Sequence, residues 1–269
     1  MTHPAKTFRA LHVKGDPFIM VNIWDRGSAK MMQSMGAKAL ATSSAAHAFT
    51  LGRTDGGTLT RDEALAHAGE ILSVATVPVQ GDFENGFGDD PDTCAETVRL
   101  AAEVGLAGIC IEDTMFPAGT AHDTALAIER IKAAAAAVRA LPDDFVLTAR
   151  ADGVMIGQYD MDEAIKRLQG FASAGADCLY CPMPPSMDDL ARICAATSLP
   201  VNALAAGNYT AQTLSDFAKI GVARISLGSA LARATHRVIH DAAQDMLENG
   251  AFTALNTGNI GATVDQMLS

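Results

Sequence analysis

The residues with chemistry to offer are concentrated in Gln80-Gly81-Asp82-Phe83-Glu84-Asn85-Gly86-Phe87-Gly88. A short apolar β-forming run, Val77-Pro78-Val79, precedes this stretch and a helical pattern follows it from Pro91. Carboxylates two residues apart on a strand point to opposite faces. The flanking glycines free the chain to bend so that Asp82 and Glu84 aim at one point. Taken alone the stretch reads equally as a solvated turn; the residues at matching places along the chain favour a site.

Those places are set by a repeating unit. Strand-like apolar runs fall at 18–24, 39–42, 77–83, 107–111, 146–149, 177–183, 200–204 and 224–227. Helical patterns alternate with them at 28–35 behind an Asp25 cap, from the capping box Thr60-Arg61-Asp62-Glu63 to about 75, and at 92–104, 123–140, 160–172, 187–196, 210–220 and 229–249, the last followed by a tail. Short strands that are apolar on both faces and alternate with helices predict a parallel sheet covered by helices. Eight such units predict a (β/α)8 TIM barrel in one domain, 1–269, with a C-terminal helical extension from about 229. The rival, a doubly wound open sheet, lacks a G-x-G-x-x-G after its first strand.

In a barrel the polar residues just after each strand converge. They are Asn22, Trp24 and Asp25; Ser43 and Ser44; Asp82 and Glu84; Glu112 and Asp113; Arg150 and Asp152; Asn202; and Ser226. Carboxylates from three strands repel one another unless a cation sits among them. With oxygen donors and no histidine or cysteine at these positions, that cation is magnesium or manganese rather than zinc. Arg150 could grip a substrate carboxylate in a bidentate fork. Ser43 and Ser44 offer donors to a second carboxylate or to a developing enolate oxygen. Trp24 either walls the substrate pocket or packs in the core. His47, in the loop after Ser44, and His122 are the loop histidines in reach of proton-transfer roles. Gly228-Ser229 is a phosphate-type cradle or a plain helix cap.

Composition narrows the classes. A formal net charge of -11 leaves no basic excess to neutralise nucleic-acid phosphates. No apolar run approaches the roughly 18–20 residues of a membrane helix, and residues 1–9 lack a signal-peptide core. A cytoplasmic enzyme is expected. Five cysteines, an odd number within apolar segments, read as reduced buried thiols; Cys178 and Cys181 spell C-x-x-C, but within a strand rather than at a helix start.

With these residues assembled, the chain resembles the isocitrate lyase / phosphoenolpyruvate mutase superfamily from Phe18 to about Ala234. The motifs that carry the resemblance are Leu51-Gly52-x-x-Asp55, the Gly81 to Gly88 stretch in place of D-x-D-x-G-[FY]-G, Ile111-Glu112-Asp113 and Ala149-Arg150. The resemblance implies a barrel whose last helix is swapped onto a neighbouring subunit in a homotetramer, a dimer of dimers. It implies a Mg2+ site in which Asp82 binds directly while Asp55, Glu84 and Glu112 hold metal-bound waters. It places Ser43 and Ser44 around a substrate α-oxo-carboxylate with Arg150 opposite, and it implies bond cleavage next to an α-oxo acid through an enolate.

The departures matter equally. The loop Asp113-Thr114-Met115-Phe116-Pro117-Ala118-Gly119-Thr120-Ala121-His122 lacks the K-[KR]-C-G-H cysteine of isocitrate and methylisocitrate lyases, and also the lysine and asparagine of the mutases. Cys181-Pro182-Met183-Pro184 stands where the lyases place a glutamate after strand six. The resulting expectation is a Mg-dependent lyase cleaving a C-C bond in a small α-oxo or α-hydroxy (di)carboxylate. Arg150, Ser43 and Glu112 are its catalytic residues; Ser43, Ser44, Trp24, Arg150 and Asn202 bind substrate; Asp82, Asp55, Glu84 and Glu112 hold the metal. The alternatives are a phosphonomutase or phosphonopyruvate hydrolase, or a barrel that binds an oxo acid with little turnover.

Overall fold

Eight short strands run parallel and close on themselves: β1 (Phe18–Asn22), β2 (Ala39–Ala41), β3 (Val79–Asp82), β4 (Gly108–Glu112), β5 (Val146–Arg150), β6 (Cys178–Tyr180), β7 (Val201–Leu204) and β8 (Arg224–Ser226). Each pairs with its neighbours in sequence, and β8 returns to β1 with Phe18 opposite Arg224. The chain is a (β/α)8 barrel, as its alternation predicts. The computed structural model describes residues 4–256 and 260–269, so part of the expected tail lies outside the described residues. All five positions of β4 are buried, since helices cover one face and the barrel interior the other. Gly108 is required there: a Cβ would meet the Val146 carbonyl oxygen at 2.4 Å.

The helices are α1 (Pro4–Ala10), α2 (Arg26–Ser34), α3 (Ser44–Thr50), α4 (Arg61–Leu72), α5 (Pro91–Val104), α6 (Thr124–Arg139), α7 (Met161–Ala174), α8 (Met187–Ala195), α9 (Leu214–Lys219), α10 (Ala230–Asn249) and α11 (Gly261–Leu268). Local chemistry sets their ends. Thr60 and Glu63 cap α4 reciprocally, as their spacing predicts, and Asp25 caps α2 with Ser28 as its partner. Gly105 and Gly175 end α5 and α7 in the left-handed conformation that a residue with a Cβ resists. The main core fills the space between sheet and helices around residues such as Leu40, Phe83, Ile109, Leu147 and Phe171.

Four elements differ from the sequence reading. Residues 44–50, read as loop, form α3 because the Ser43 hydroxyl accepts from the Ala46 amide and the alanines that follow favour helix. The expected helix at 210–220 divides into a 3-10 turn, Gly207–Ala211, and α9, which starts afresh at a Thr213–Asp216 capping box. α11 forms in the tail, with its Leu268 carbonyl accepting from Lys30. α1 closes the N-terminal end of the barrel, where Phe8 packs edge-on against His12 and Phe18. All five cysteines are free and buried. No described helix is long and apolar enough to cross a membrane.

Above α1 the barrel interior is polar. Arg224, 1% exposed, donates to Gln80 Oε1 at 2.7 Å, Asn202 Oδ1 at 2.8 Å, His12 Nε2 at 3.1 Å and Thr148 Oγ1 at 3.2 Å. Accepting from Arg224 requires a lone pair on Nε2, so the imidazole proton sits on Nδ1, which meets the Phe8 carbonyl at 2.8 Å. Burial, reinforced by Arg224, lowers His12 to about 3. Burial and the neighbouring His67 lower His47 to about 4, and burial also lowers His67.

An unfolded histidine titrates near ~6.5, so below that pH the unfolded chain binds more protons than the folded one and stability falls as pH drops toward the folded values. The slope that these imidazoles contribute between pH 7.5 and pH 5 is read by difference in melting temperature followed by circular dichroism, because the strand-end carboxylates with raised values act in the opposite sense. The variant His12→Ala should flatten part of that slope while costing about 1–3 kcal/mol at pH 7.5, because Arg224 loses an acceptor. A His12→Ala variant whose melting temperature falls as steeply from pH 7.5 to pH 5 as that of the parent protein would contradict the assignment of a neutral buried imidazole.

Candidate active site

Strand ends bring the reactive residues together. Asp82, Glu112, Arg150, Tyr180 and Leu204 are the last residues of β3, β4, β5, β6 and β7, and all line a cavity of about 300 Å³ at the carboxyl end of the barrel. Ser43 and Ser44 enter it after β2, and Gly228 and Ser229 after β8. Asp55 and Gly56 reach it from the loop between α3 and α4.

Asp82 and Glu84 both reach this cavity, though the glycines are not what bends the chain. Glu84 itself adopts a φ of +44°, a conformation costly for a residue with a side chain. Gly81 serves packing instead: a Cβ there would lie 2.3 Å from the Phe83 ring. The Glu84 carboxylate accepts from the Gly57 amide at 3.0 Å, which ties it to the loop that carries Asp55. Asp55, on the exposed rim, accepts from the Gly56 amide at 2.9 Å.

Arg150 is the cation of the cluster. Its Nη1 lies 3.0 Å from Glu112 Oε2 and 3.8 Å from Asp82 Oδ1. Its Nε and Nη2 grip Asp152 in a fork, the Nη2 bond measuring 2.6 Å. The guanidinium also sits 5.5 Å from the centre of the Tyr180 ring. Asp152 is braced in turn through its amide, which donates to Asp113, and Asp113 is held by Tyr159 and Arg167. One guanidinium thus faces more carboxylates than it can neutralise. Burial pushes Glu84 up to about 7, with Asp82 and Asp55 adding to the rise, and raises Glu112 well above its ordinary range against the pull of Arg150. Asp55 is raised by desolvation and by Asp82, and burial pushes Asp152 up to about 6.

Several side chains have partners other than those the sequence reading expected, and some lie away from the cavity. Ser44, expected to cradle a substrate carboxylate, spends its amide (2.9 Å) and hydroxyl (2.8 Å) on Asp82 Oδ2. The Ser43 hydroxyl caps α3, accepting from the Ala46 amide at 3.2 Å. The fork of Arg150, expected to hold substrate, is occupied by Asp152. Asn202, expected to bind substrate, lies beneath the cavity, where it accepts from Arg224 and donates to Ser226. Trp24 does not line the cavity; its backbone carbonyl accepts from His67. His47 is buried in α3, stacked on His67 at 3.9 Å, and His122 is buried 3.5 Å from Asp89. Neither histidine lines the cavity.

Asp152, gathered among the converging residues but given no role, lines the site, as do Tyr180 and Phe116, which had not been assigned to it. Asp152 had a signal in its spacing from Arg150, two residues along the chain. Tyr180 and Phe116 had none, because the face an apolar residue presents depends on register and loop path.

The available donors are oxygens, as a hard cation requires. Among the described residues no three acidic, histidine or cysteine side chains converge as a direct ligand set.

Comparison with known proteins agrees with this architecture. The family model described as phosphoenolpyruvate phosphomutase matches residues 8–247. A crystal structure from Burkholderia cenocepacia J2315, described as a lyase/mutase, superposes with a TM-score of 0.94 at 40% identity, covering 99% of this chain and 95% of that one. A second from the same organism, described as a phosphonomutase, gives a TM-score of 0.83 at 32% identity over 89% of this chain and 98% of that one. The 2-methylisocitrate lyase of Escherichia coli K12 is 33% identical over 194 residues, 70% of this chain and 64% of that enzyme. By its barrel, the placing of its carboxylates and these matches, the chain belongs to the phosphoenolpyruvate phosphomutase family of the isocitrate lyase/phosphoenolpyruvate mutase superfamily.

Proposed function

We propose that this chain is a magnesium-dependent lyase that cleaves a C-C bond in a small α-oxo or α-hydroxy (di)carboxylate. The observation that carries the reading is the charge imbalance of the cavity: among the described residues that line it, Asp82, Glu84, Glu112, Asp55 and Asp152 stand with Arg150 as the basic side chain, and Arg233 acts on Asp55 from outside the lining. Asp82 would hold the ion, because Ser44 engages only its Oδ2 and leaves Oδ1 toward the cavity. Asp55, Glu84 and Glu112 are the outer partners. Bound there, magnesium would supply Lewis-acid stabilisation to the negative charge that develops on the oxo-acid fragment.

The protein's own groups orient the substrate. Arg150 would meet a substrate carboxylate through Nη1, which here lies 3.0 Å from Glu112 Oε2, while Asp152 fixes the plane of the guanidinium from its far edge. The start of α3 acts through Asp82, whose Oδ2 it fixes with the Ser44 amide and hydroxyl. A cavity of about 300 Å³ suits a substrate of a few carbons.

Phosphorus–carbon chemistry is the second reading, favoured by the phosphomutase family model and the phosphonomutase neighbour. The absence of lysine and asparagine from the 114–122 loop counts against it.

The assembly is part of the proposal. Residues 233–241 of α10 are exposed on every side, and Val238, Ile239, Leu247, Phe252 and Leu255 present apolar surface to solvent. A helix left bare over two turns and carrying such residues is suited to packing on another subunit. A homotetramer, with this helix against a neighbour, accounts for it.

With magnesium and a panel of 2-alkylmalates, isocitrate analogues, oxo acids and phosphonopyruvate, release of pyruvate or glyoxylate is expected, and Asp82→Ala should abolish it. Phosphate release from phosphonopyruvate alone would shift the assignment to the second reading, and no Asp82-dependent product or oxo-acid binding would remove both. Arg150→Lys should raise KM roughly thirtyfold, on the ~2 kcal/mol scale of a lost buried charged contact. In sedimentation the protein should behave as a tetramer, and Ile239→Asp with Leu247→Asp should yield smaller species of unchanged secondary structure. A monomeric parent protein would contradict the role given to α10.

A further inference from the structure

Beside the substrate cavity lies a second, more open one of about 600 Å³. The two share Phe116 and Glu84 in their linings, while Gly56 faces one and Gly57 the other. Phe116 belongs to the short antiparallel hairpin formed by Thr114–Met115 and Thr120–Ala121 in the loop after β4. Its side chain lies flat on the Gly56-Gly57 turn: a Cβ on Gly57 would come within 2.5 Å of Phe116 Cβ, and one on Gly56 within 3.8 Å of the ring. Gly57 has a φ of +71° and donates to Glu84, so backbone, ring and carboxylate form one continuous wall.

We propose that Phe116 is a specificity-determining partition, which confines the substrate to the inner cavity and excludes any arm that would extend into the outer one. This deepens the proposed function and rests on it for the identity of the inner site. Three features support the assignment. Phe116 is, with Glu84, one of the two side chains common to both linings and the bulkier of them, so its removal opens the wall on its side of Glu84. Its neighbours in the wall are two glycines, which have no side chain to take its place. Finally, the outer cavity carries Thr60, Arg61, Asp62 and Thr93, side chains that can hydrogen-bond an arm once it enters. The arm it would take is therefore polar and hydroxylated rather than alkyl.

Phe116 acts here through volume alone. Rejection by a wall is a form of specificity in which the excluded ligand meets a clash rather than a weaker contact. A substituent of two or three heavy atoms is enough to feel it, since even one methylene in a close-fitting site changes discrimination on the order of tenfold or more.

The test uses binding, so that it does not depend on turnover. Oxamate and N-(2-hydroxyethyl)oxamate are titrated calorimetrically, with magnesium present, into the full-length protein and its Phe116→Ala and Phe116→Leu variants; Asp82→Ala serves as the control for the inner site. The parent protein is expected to favour oxamate by tenfold or more on the order set by a steric wall. Phe116→Ala should bring the two ligands within about threefold of each other, with Phe116→Leu between the parent protein and that variant. N-butyloxamate should gain less than the hydroxyethyl compound. Where Phe116→Ala does not fold, as judged by circular dichroism, the Phe116→Leu ratio decides by its shift or its constancy. Oxamate binding that needs Asp82, combined with a ligand ratio the same in all Phe116 forms, would overturn the partition and leave the proposed function standing. Oxamate that fails to bind the parent protein would overturn both.

Discussion

One guanidinium, that of Arg150, holds the carboxyl end of the barrel together electrostatically. It touches Glu112 and Asp152 directly, approaches Asp82, and lies against the Tyr180 ring. These groups come from the ends of β3, β4, β5 and β6 and from the residues just beyond β5, so one charge ties four adjacent strands. The same contact leaves the cluster under-neutralised, and that shortage is the ground for the proposed cation. Structural cohesion and chemical function thus arise from one arrangement.

A second layer beneath it solves a related problem. Arg224 occupies the barrel interior with neutral acceptors around it, Asn202, Gln80, Thr148 and His12. Such a buried charge is tolerable only when its donors are met. It lies between the plug formed by α1 and a small cavity of about 40 Å³ that also borders Asp82 and Arg150. Polar contacts therefore run along the barrel interior from the plug toward the site, and the large apolar core lies outside the sheet, under the helices.

The site is also shaped by backbone conformations that side chains resist. Glu84 at positive φ lets two carboxylates from one short segment share a cavity, and its bond from Gly57 holds that strained turn against the loop that brings Asp55. Phe116 rests on the same glycine turn. Loop, strand end and hairpin meet at a single place, so the carboxylate cluster and the wall of the cavity share one framework.

Much of this was legible in the chain itself. Periodicity is a local property, and eight apolar runs alternating with capped helical patterns were sufficient for a closed parallel barrel; the order Asp82, Glu112, Arg150 at strand ends then followed from the fold. Side-chain allegiance is not local. Whether Ser44 meets substrate or Asp82, whether Arg150 presents its fork or yields it to Asp152, and whether Asn202 faces ligand or Arg224 depend on distances across strands far apart in sequence. The short helices α1, α3 and α11 escaped notice because their stability comes from caps and docking rather than from a long amphipathic repeat. Sequence determined which elements form and which charges arrive at one end of the barrel; tertiary structure decided which of those charges satisfy each other and which are left facing the cavity, because only packing in three dimensions sets partners and desolvation.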